Sequence, residues 1–418
     1  KRKNWLVLCL TAGFLLVFAL WSICKADDAR SVSERRALAQ RPELTAKSVW
    51  DGTFMTKFET YTLDQFPLRD TFRSLKAHVQ LDVLRQKDNN GIYIADGYAA
   101  KLDYPLNEDS VEHALARFRF VYERYLQGTD AKIYFAAIPD KNYFLAEQYG
   151  YPALDYEEFI QKFADGMEYA QTVGLTDVLT LGSYYRTDIH WRQEAILPAA
   201  QRLAEAMGAD WTDKFEAVTL DAPFCGVYCG QSALDLAPDA LTYLTNDTLR
   251  ACTVYDYETD TTLPVYDLDA AGGDDAYAIF LSGSKSLLTI ENPNAGTERE
   301  LVVFRDSFGN ALHADLAEDF GEALFSRAMP YDLSLIDDVQ PDTLIVELVE
   351  RNLCWLCTRP PLLPAPVREQ TFDGATDFGT LDVTRSSARE HYHALYKWSD
   401  ETIALHHVFT SNQRLDRR

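Results

Sequence analysis

The chain has 418 residues, 47% of them hydrophobic, and a formal net charge of −24 at pH 7. That length holds two modest domains or one domain with an insertion, and the composition is ample for a core, which excludes a disordered chain. The acidic balance excludes a nucleic-acid or anionic-lipid footprint, since either needs clustered Lys and Arg, and beyond the N-terminus no basic patch stands out.

Lys1, Arg2 and Lys3 precede an uncharged run from Trp5 to Cys24, with Asp27 and Asp28 close behind. As a helix the run rises about 30 Å, the thickness of a bilayer core. Positive charge before the span and acid after it predict an inside N-terminus and an exported remainder. The rival is a signal peptide cleaved near Cys24-Lys25-Ala26, but the run exceeds the apolar region of such a signal. Ile23 is too bulky for a lipoprotein site at Cys24. The expectation is a single-pass anchor over residues 1–26, with the rest extracellular or periplasmic.

Residues 27–90 read as a juxtamembrane helical region, with Leu63, Phe66, Leu68, Phe72, Leu75, Val79, Val83 and Leu84 forming an apolar stripe. An Asp96-Gly97 turn between short β-prone runs then signals a hairpin. From residue 108 helix and strand alternate. Ser110 is the expected cap of a helix through Tyr122, Lys132–Ile138 a buried strand, and residues 156–173 and 192–207 further helices. This pattern implies an α/β domain, 91–207, built on a mostly parallel sheet covered on both faces. Residues 208–289 read as a β-rich insertion. The α/β pattern resumes over 290–366 with a strand at 300–304, a helix at 307–320 and a strand at 343–348. Residues 367–418 have no clear period.

Cys225, Cys229, Cys252, Cys354 and Cys357 lie beyond the span. In an exported chain they suggest disulfides, with one thiol left over. A zinc site from the C-x3-C and C-x2-C pairs is the alternative, without other support. A redox role for Cys354 and Cys357 lacks the strand-to-helix context it needs. His391, His393, His406 and His407 have no carboxylate or cysteine spacing for a metal and read as a solvated tail, and His313 as a structural residue of the helix after Ser307. No metal and no cofactor are expected.

Two motifs carry chemistry: Asp188-Ile189-His190-Trp191 and Arg305-Asp306-Ser307-Phe308-Gly309. Serine is a weak nucleophile at neutral pH, so acyl transfer needs a base within hydrogen-bond reach and a third group to fix the base's tautomer. Asp188 and His190, two apart on a loop, suit the last two roles, with Trp191 packed beneath. Ser307 follows an apolar strand and opens a helix, the crevice position of an open α/β sheet. The helix start brings amides suited to an oxyanion, and Gly309 allows close approach. Asp-Ser after a strand is alone most often a helix cap. Both motifs at loop-to-helix junctions of one domain favour function. Lys141, Asn142 and Gly283 are further pocket candidates that also fit turns.

The stretch Tyr184 to Trp191 resembles the defining motif of the DHHW protein family, with Ile189 where a second histidine is common. Arg305–Asn310 and 347–353 resemble its later blocks, and the match spans roughly residues 30–366. DHHW proteins are in turn similar to SGNH-type O-acetyltransferases of alginate and other exported polysaccharides. The resemblance implies an SGNH-like three-layer α/β sandwich with Ser307 as nucleophile, His190 as base and Asp188 as orienter. Arg305, Gly309, Tyr185, Trp191, Lys141, Asn142 and Gly283 are its expected substrate or oxyanion residues. It also implies a glycan substrate and a multi-pass membrane O-acyltransferase partner. Asp and His precede Ser here, the reverse of ordinary SGNH hydrolases, and Arg305 stands where those have Gly. The same triad serves an esterase, and the 23 Tyr and 7 Trp also suit a silent glycan-binding or assembly protein.

Overall fold

The computed structural model describes residues 2–209, 211, 214–257, 259–283, 285–295, 299–316, 320–327, 341–349, 376–386, 389–399 and 402–409. Helix α1 (Arg2–Cys24) has 23 residues, none of them buried, and is long and apolar enough to cross a membrane. Two helices, α2 (Thr53–Asp64) and α3 (Arg69–His78), follow an N-terminal segment tied to α2 through Arg36 and the buried Asp64. The expected apolar stripe does not close over a core, for Leu63, Leu68, Leu75, Val83 and Leu84 are exposed. Phe66 and Phe72 turn instead to Phe18 of α1, with ring centroids 5.3 and 5.6 Å away. The stripe's partner is thus the apolar N-terminal helix.

Strands β1 (Ile92–Ala95) and β2 (Tyr98–Lys101) pair antiparallel as the expected hairpin. Asp96 and Gly97 have φ of 49° and 76°, the left-handed pair that a two-residue hairpin turn demands. Helix α4 (Glu108–Val121) is capped by Asn107, not Ser110: Asn107 Oδ1 accepts from the Ser110 amide at 3.1 Å. Asn107 lies three residues upstream of that amide, the reach of a capping side chain.

Strand β3 (Lys132–Ile138) leads to the short α5 (Asn142–Leu145) and to α6 (Tyr156–Gly166), capped by Asp155. The sequence extends α6 to Val173, but the chain leaves the helix so that β4 (Gln171–Thr172) can pair with β3. Helix α7 (Leu197–Met207) begins later than Arg192, after a 3-10 turn at Gln193–Ala195. Pro198 explains the late start, because proline suits the first helical turn but supplies no N–H to a turn before it. Gly208, at φ 65°, ends the helix.

Strand β5 (Glu216–Phe224), helix α8 (Val227–Ser232) and strand β6 (Asp239–Thr245) come next, β5 and β6 pairing antiparallel. The remaining strands of the main sheet are β7 (Thr253–Asp256), β8 (Thr261–Leu263), β9 (Leu287–Glu291), β10 (Glu300–Arg305), β11 (Glu322–Arg327) and β12 (Thr343–Val349). Helix α9 (Gly309–Leu316) follows β10 and starts two residues after the expected Ser307. The eight-stranded order is β8-β7-β9-β11-β10-β12-β3-β4. From β11 to β4 neighbours run parallel, and β8, β7 and β9 extend the edge antiparallel.

Side-chain alternation divides the core into two layers, one on each face. On one face Ile133, Phe135, Ala137, Val302, Phe304 and Val346 pack with α4 and α6 through Phe118, Phe159 and Phe163. On the other, Ala136, Ile138, Leu301, Val303 and Ile345 pack with α7 and α9 through Leu203, Met207 and Leu312. The protein is a three-layer α/β sandwich with a mostly parallel sheet. Strands β13 (Thr376–Ser386), β14 (Arg389–Ser399) and β15 (Thr402–Phe409) form a separate three-stranded antiparallel sheet. They run where the sequence reads as a tail, because polar and aromatic residues mix along them without an apolar period.

Candidate active site

The Asp188-to-Trp191 motif is the tip of a β-like loop. Tyr184 bridges to Trp191, the Tyr185 amide donates to the His190 carbonyl at 3.1 Å, and the Arg192 amide to the Ser183 carbonyl at 2.8 Å. This narrow loop turns His190 toward the end of β10. Trp191, wholly buried, donates from Nε1 to the Phe308 carbonyl at 2.9 Å, and Gln193 Nε2 donates to the Ala311 carbonyl at 2.9 Å. The loop is therefore stitched to the chain directly after Ser307.

Asp306, directly after β10, takes the capping role that an Asp-Ser pair offers, its Oδ1 accepting from the Phe308 amide at 2.8 Å. The Ser307 hydroxyl is left to His190, whose Nε2 stands 2.8 Å from Oγ. His190 Nδ1 is 2.6 Å from Asp188 Oδ1, which also accepts from the His190 amide at 3.1 Å. Asp188 Oδ2 accepts from the Val227 amide at 2.8 Å. Asp188 and His190 are buried, while Ser307 is partly exposed. Burial pushes the Asp188 carboxyl up, but the charge and hydrogen bond of His190 and the two amide bonds outweigh it. The group is held well below the ordinary carboxylate range.

Of the other predicted residues, Lys141, Tyr185 and Arg305 are buried around this relay, while Asn142 lines a separate cavity with Tyr143 and Tyr151. Lys141 is fully buried, and its Nζ donates to the Tyr185 and Asp188 carbonyls at 2.7 and 2.6 Å. Asn142 donates to the Lys101 carbonyl at 2.5 Å and accepts from the Tyr93 hydroxyl at 2.7 Å. Tyr185 is buried edge-on to Phe224 and Tyr277, and burial pushes its phenol well up. Arg305, also fully buried, donates to the Asp306 carbonyl at 3.1 Å and to Asn310 Oδ1. Asn310 Nδ2 in turn donates to the Gly283 carbonyl at 3.0 Å. Gly283 has φ 81°, a conformation that favours glycine. Gly309 opens α9, and His313 lies within it with its side chain outside the described residues.

Several contacts carry no motif. Tyr277 stacks on His190, Thr187 Oγ1 accepts from the Gly226 amide at 2.8 Å, and Asp239 accepts from Thr187 at 2.7 Å. Cys225 and Cys229 form a disulfide, which removes two ligands from the zinc set considered from the sequence. Cys354 and Cys357, and residues 350–353 of the later family block, lie outside the described residues. Side chains of the four tail histidines lie outside them too.

No family model and no curated protein match the chain. Solved structures do resemble it. A DHHW family protein from Eubacterium siraeum gives a TM-score of 0.55 at 20% identity over 64% of this chain and 93% of its own. PatB1 from Bacillus cereus gives 0.53 at 19% identity over 63% and 96%, and a form with a sulfonyl adduct gives 0.53 at 18% over 63% and 95%. The O-acetyltransferase domain of Pseudomonas putida AlgJ reaches 0.40 at 18% identity, covering 63% and 92%. The first two likenesses are of fold, and they agree with the resemblance read from the motifs.

Proposed function

We propose that this chain is a membrane-anchored, extracytoplasmic SGNH-like O-acyltransferase that acetylates a cell-surface or exported polysaccharide through a Ser307 acyl-enzyme. The observation that carries the reading is the unbroken relay from Asp188 through His190 to Ser307 Oγ, at 2.6 and 2.8 Å. With Nδ1–H donated to Asp188, Nε2 is the basic nitrogen, and it takes the hydroxyl proton as Oγ attacks an acyl carbonyl. The collapsing intermediate expels the donor's alcohol, which leaves with that proton. A sugar hydroxyl then gives its own proton to Nε2 and attacks the acyl-serine, and Nε2 returns that proton to the departing Oγ.

The Phe308 amide is committed to Asp306, so the amides of Ser307 and Gly309 are the candidates to receive the oxyanion. Arg305 holds Asn310 and the turn beneath, a supporting rather than substrate-facing place. Helix α1 would keep the site beside a multi-pass membrane O-acyltransferase that delivers the acyl group. An acidic surface suits a neutral glycan, which needs no basic groove.

The test uses the full-length chain in detergent with an activated acetyl ester, with and without an oligosaccharide. Ser307→Ala and His190→Ala should each lower turnover by about 10^6-fold, the scale of losing the nucleophile or the base of a triad. A sulfonyl fluoride should label Ser307. Turnover by Ser307→Ala equal to wild type would sink the nucleophile assignment. Acetylated oligosaccharide in the mass spectrum supports transfer, acetate alone an esterase, and neither product nor label a silent glycan-binding protein.

A further inference from the structure

We infer that the disulfide-closed turn Cys225–Cys229 is a positioning element for the triad carboxylate, so that full turnover requires this disulfide. The inference rests on the acyl-enzyme reading of Ser307. Its ground is the way the turn meets the Asp188 loop. Three successive amides point at residues 187 and 188: Gly226 to Thr187 Oγ1 at 2.8 Å, Val227 to Asp188 Oδ2 at 2.8 Å, and Tyr228 to the Thr187 carbonyl at 3.0 Å. The middle amide alone meets the carboxylate, while its two neighbours bind Thr187 and lock the turn to the Asp188 loop.

The two oxygens of Asp188 are thereby divided. Oδ1 serves His190 and Oδ2 serves the turn. A carboxylate bound on one side alone swings readily about its last torsion, which is broad, and the imidazole tautomer then loses its fixed partner. The Val227 bond holds that torsion.

Little slack exists between the two segments. A Cβ on Gly226 would lie 2.3 Å from Asp188 Cβ and 2.5 Å from its Cα, closer than atoms tolerate. The backbone of residue 226 has φ −69°, so the glycine is required by close approach and not by its torsion. Helix α8 has six residues, too short to hold its own first turn in place. The disulfide joins residues four apart and spans the donating amides. Outside it, Arg35 Nη2 donates to the Cys225 carbonyl at 2.5 Å and Arg73 Nη2 to the Gly230 carbonyl at 2.6 Å. The turn is thus fixed from behind by cations and closed across by sulfur, with its amides forward.

The experiment compares the full-length chain in detergent with Cys225→Ser/Cys229→Ser and with Gly226→Ala, which keeps the disulfide but pushes the turn off Asp188. Using variants avoids free thiol, which would consume the activated acetyl ester. Each should lower kcat roughly ten- to a hundredfold, the scale of one charge-assisted hydrogen bond, with KM within about twofold, since no substrate contact is lost. The Asp188 carboxyl should be held less far below the ordinary carboxylate range, because a carboxylate robbed of an N–H takes a proton more readily. The charged and titratable groups that bear on that carboxyl are His190 on its own loop, the Lys141 ammonium on its main-chain carbonyl and the buried Tyr185 phenol.

Sulfonyl fluoride labelling of Ser307 should slow in parallel, while circular dichroism stays unchanged. If the cysteine pair proves necessary for folding, Gly226→Ala decides the turn's hold on Asp188, and reduction of the folded wild-type chain by a phosphine, which brings in no free thiol, decides the need for the disulfide. Wild-type kcat in a folded variant would overturn the positioning role, and with Ser307→Ala still inactive the acyl-enzyme reading would stand. An active Ser307→Ala would instead remove the reading on which the inference rests.

Discussion

The ring of Tyr277 lies flat against His190, the centroids 3.9 Å apart and the planes 6° from parallel. Phe308 meets the same imidazole at 5.1 Å, so His190 is held between two rings as well as between Asp188 and Ser307. Stacking of this kind contributes about 0.5–1.5 kcal/mol. Tyr277→Ala should therefore lower kcat by roughly three- to tenfold, and Tyr277→Phe should keep most of it. Steady-state turnover of the acetyl ester measures both.

Asp188→Asn should fold normally and be almost inactive. The amide can offer N–H to Nδ1, which reverses the imidazole tautomer and turns Nε2 from acceptor to donor. The expected loss is about 10^4-fold in kcat. A residual rate within tenfold of wild type would mean that Asp188 does not orient the base.

Lys141→Met should destabilise the protein more than it alters substrate binding. Two main-chain carbonyls, of Tyr185 and Asp188, would lose their ammonium donor inside the core. Each unsatisfied carbonyl costs about 1–3 kcal/mol, so a loss of roughly 2–6 kcal/mol is expected from urea unfolding, while KM stays unchanged. A large rise in KM with unaltered stability would return Lys141 to the substrate pocket.

Asp64 gives the N-terminal segment an acid-sensitive tie. The Arg36 hydrogen bond, opposed by burial and aided by the Ala39 amide and by the charges of Arg36 and Arg69, lowers its carboxyl from 3.8 to about 2. A depressed carboxyl stabilises the fold fully above its unfolded value, and the benefit is lost as pH falls through the folded one. Stability should thus decline between about pH 4 and 2 for wild type. The decline should be shallower for Asp64→Asn, as followed by unfolding midpoints at successive pH values.

The sheet's parallel strands were legible because burial on both faces makes them continuous apolar runs, as in Leu301–Phe304 and Leu344–Val346. The residues of the relay were legible because serine chemistry restricts which side chains serve and where a strand must end. Tyr277 was not, since a ring stacked on an imidazole needs no fixed spacing from it. The stripe from Leu63 to Leu84 is broken where the chain leaves the helix at Gln65–Leu68, with Leu68 at φ 57°, and periodicity does not name the partner that Phe66 and Phe72 find in α1. The late start of α7 was written in Pro198, and the early end of α6 in an edge strand of two residues, too short to show a period.

The hold on Asp188 is exerted through main-chain N–H. At position 227 any residue but proline supplies the donor, although the Val227 side chain also packs against Ile92, Ala99 and Tyr228, whereas position 226 has almost no latitude, for a methyl group there strikes Asp188. Among descendants of one ancestor, the acid's second partner would drift in name while its place stayed fixed. A lasting glycine between two half-cystines would be its written trace.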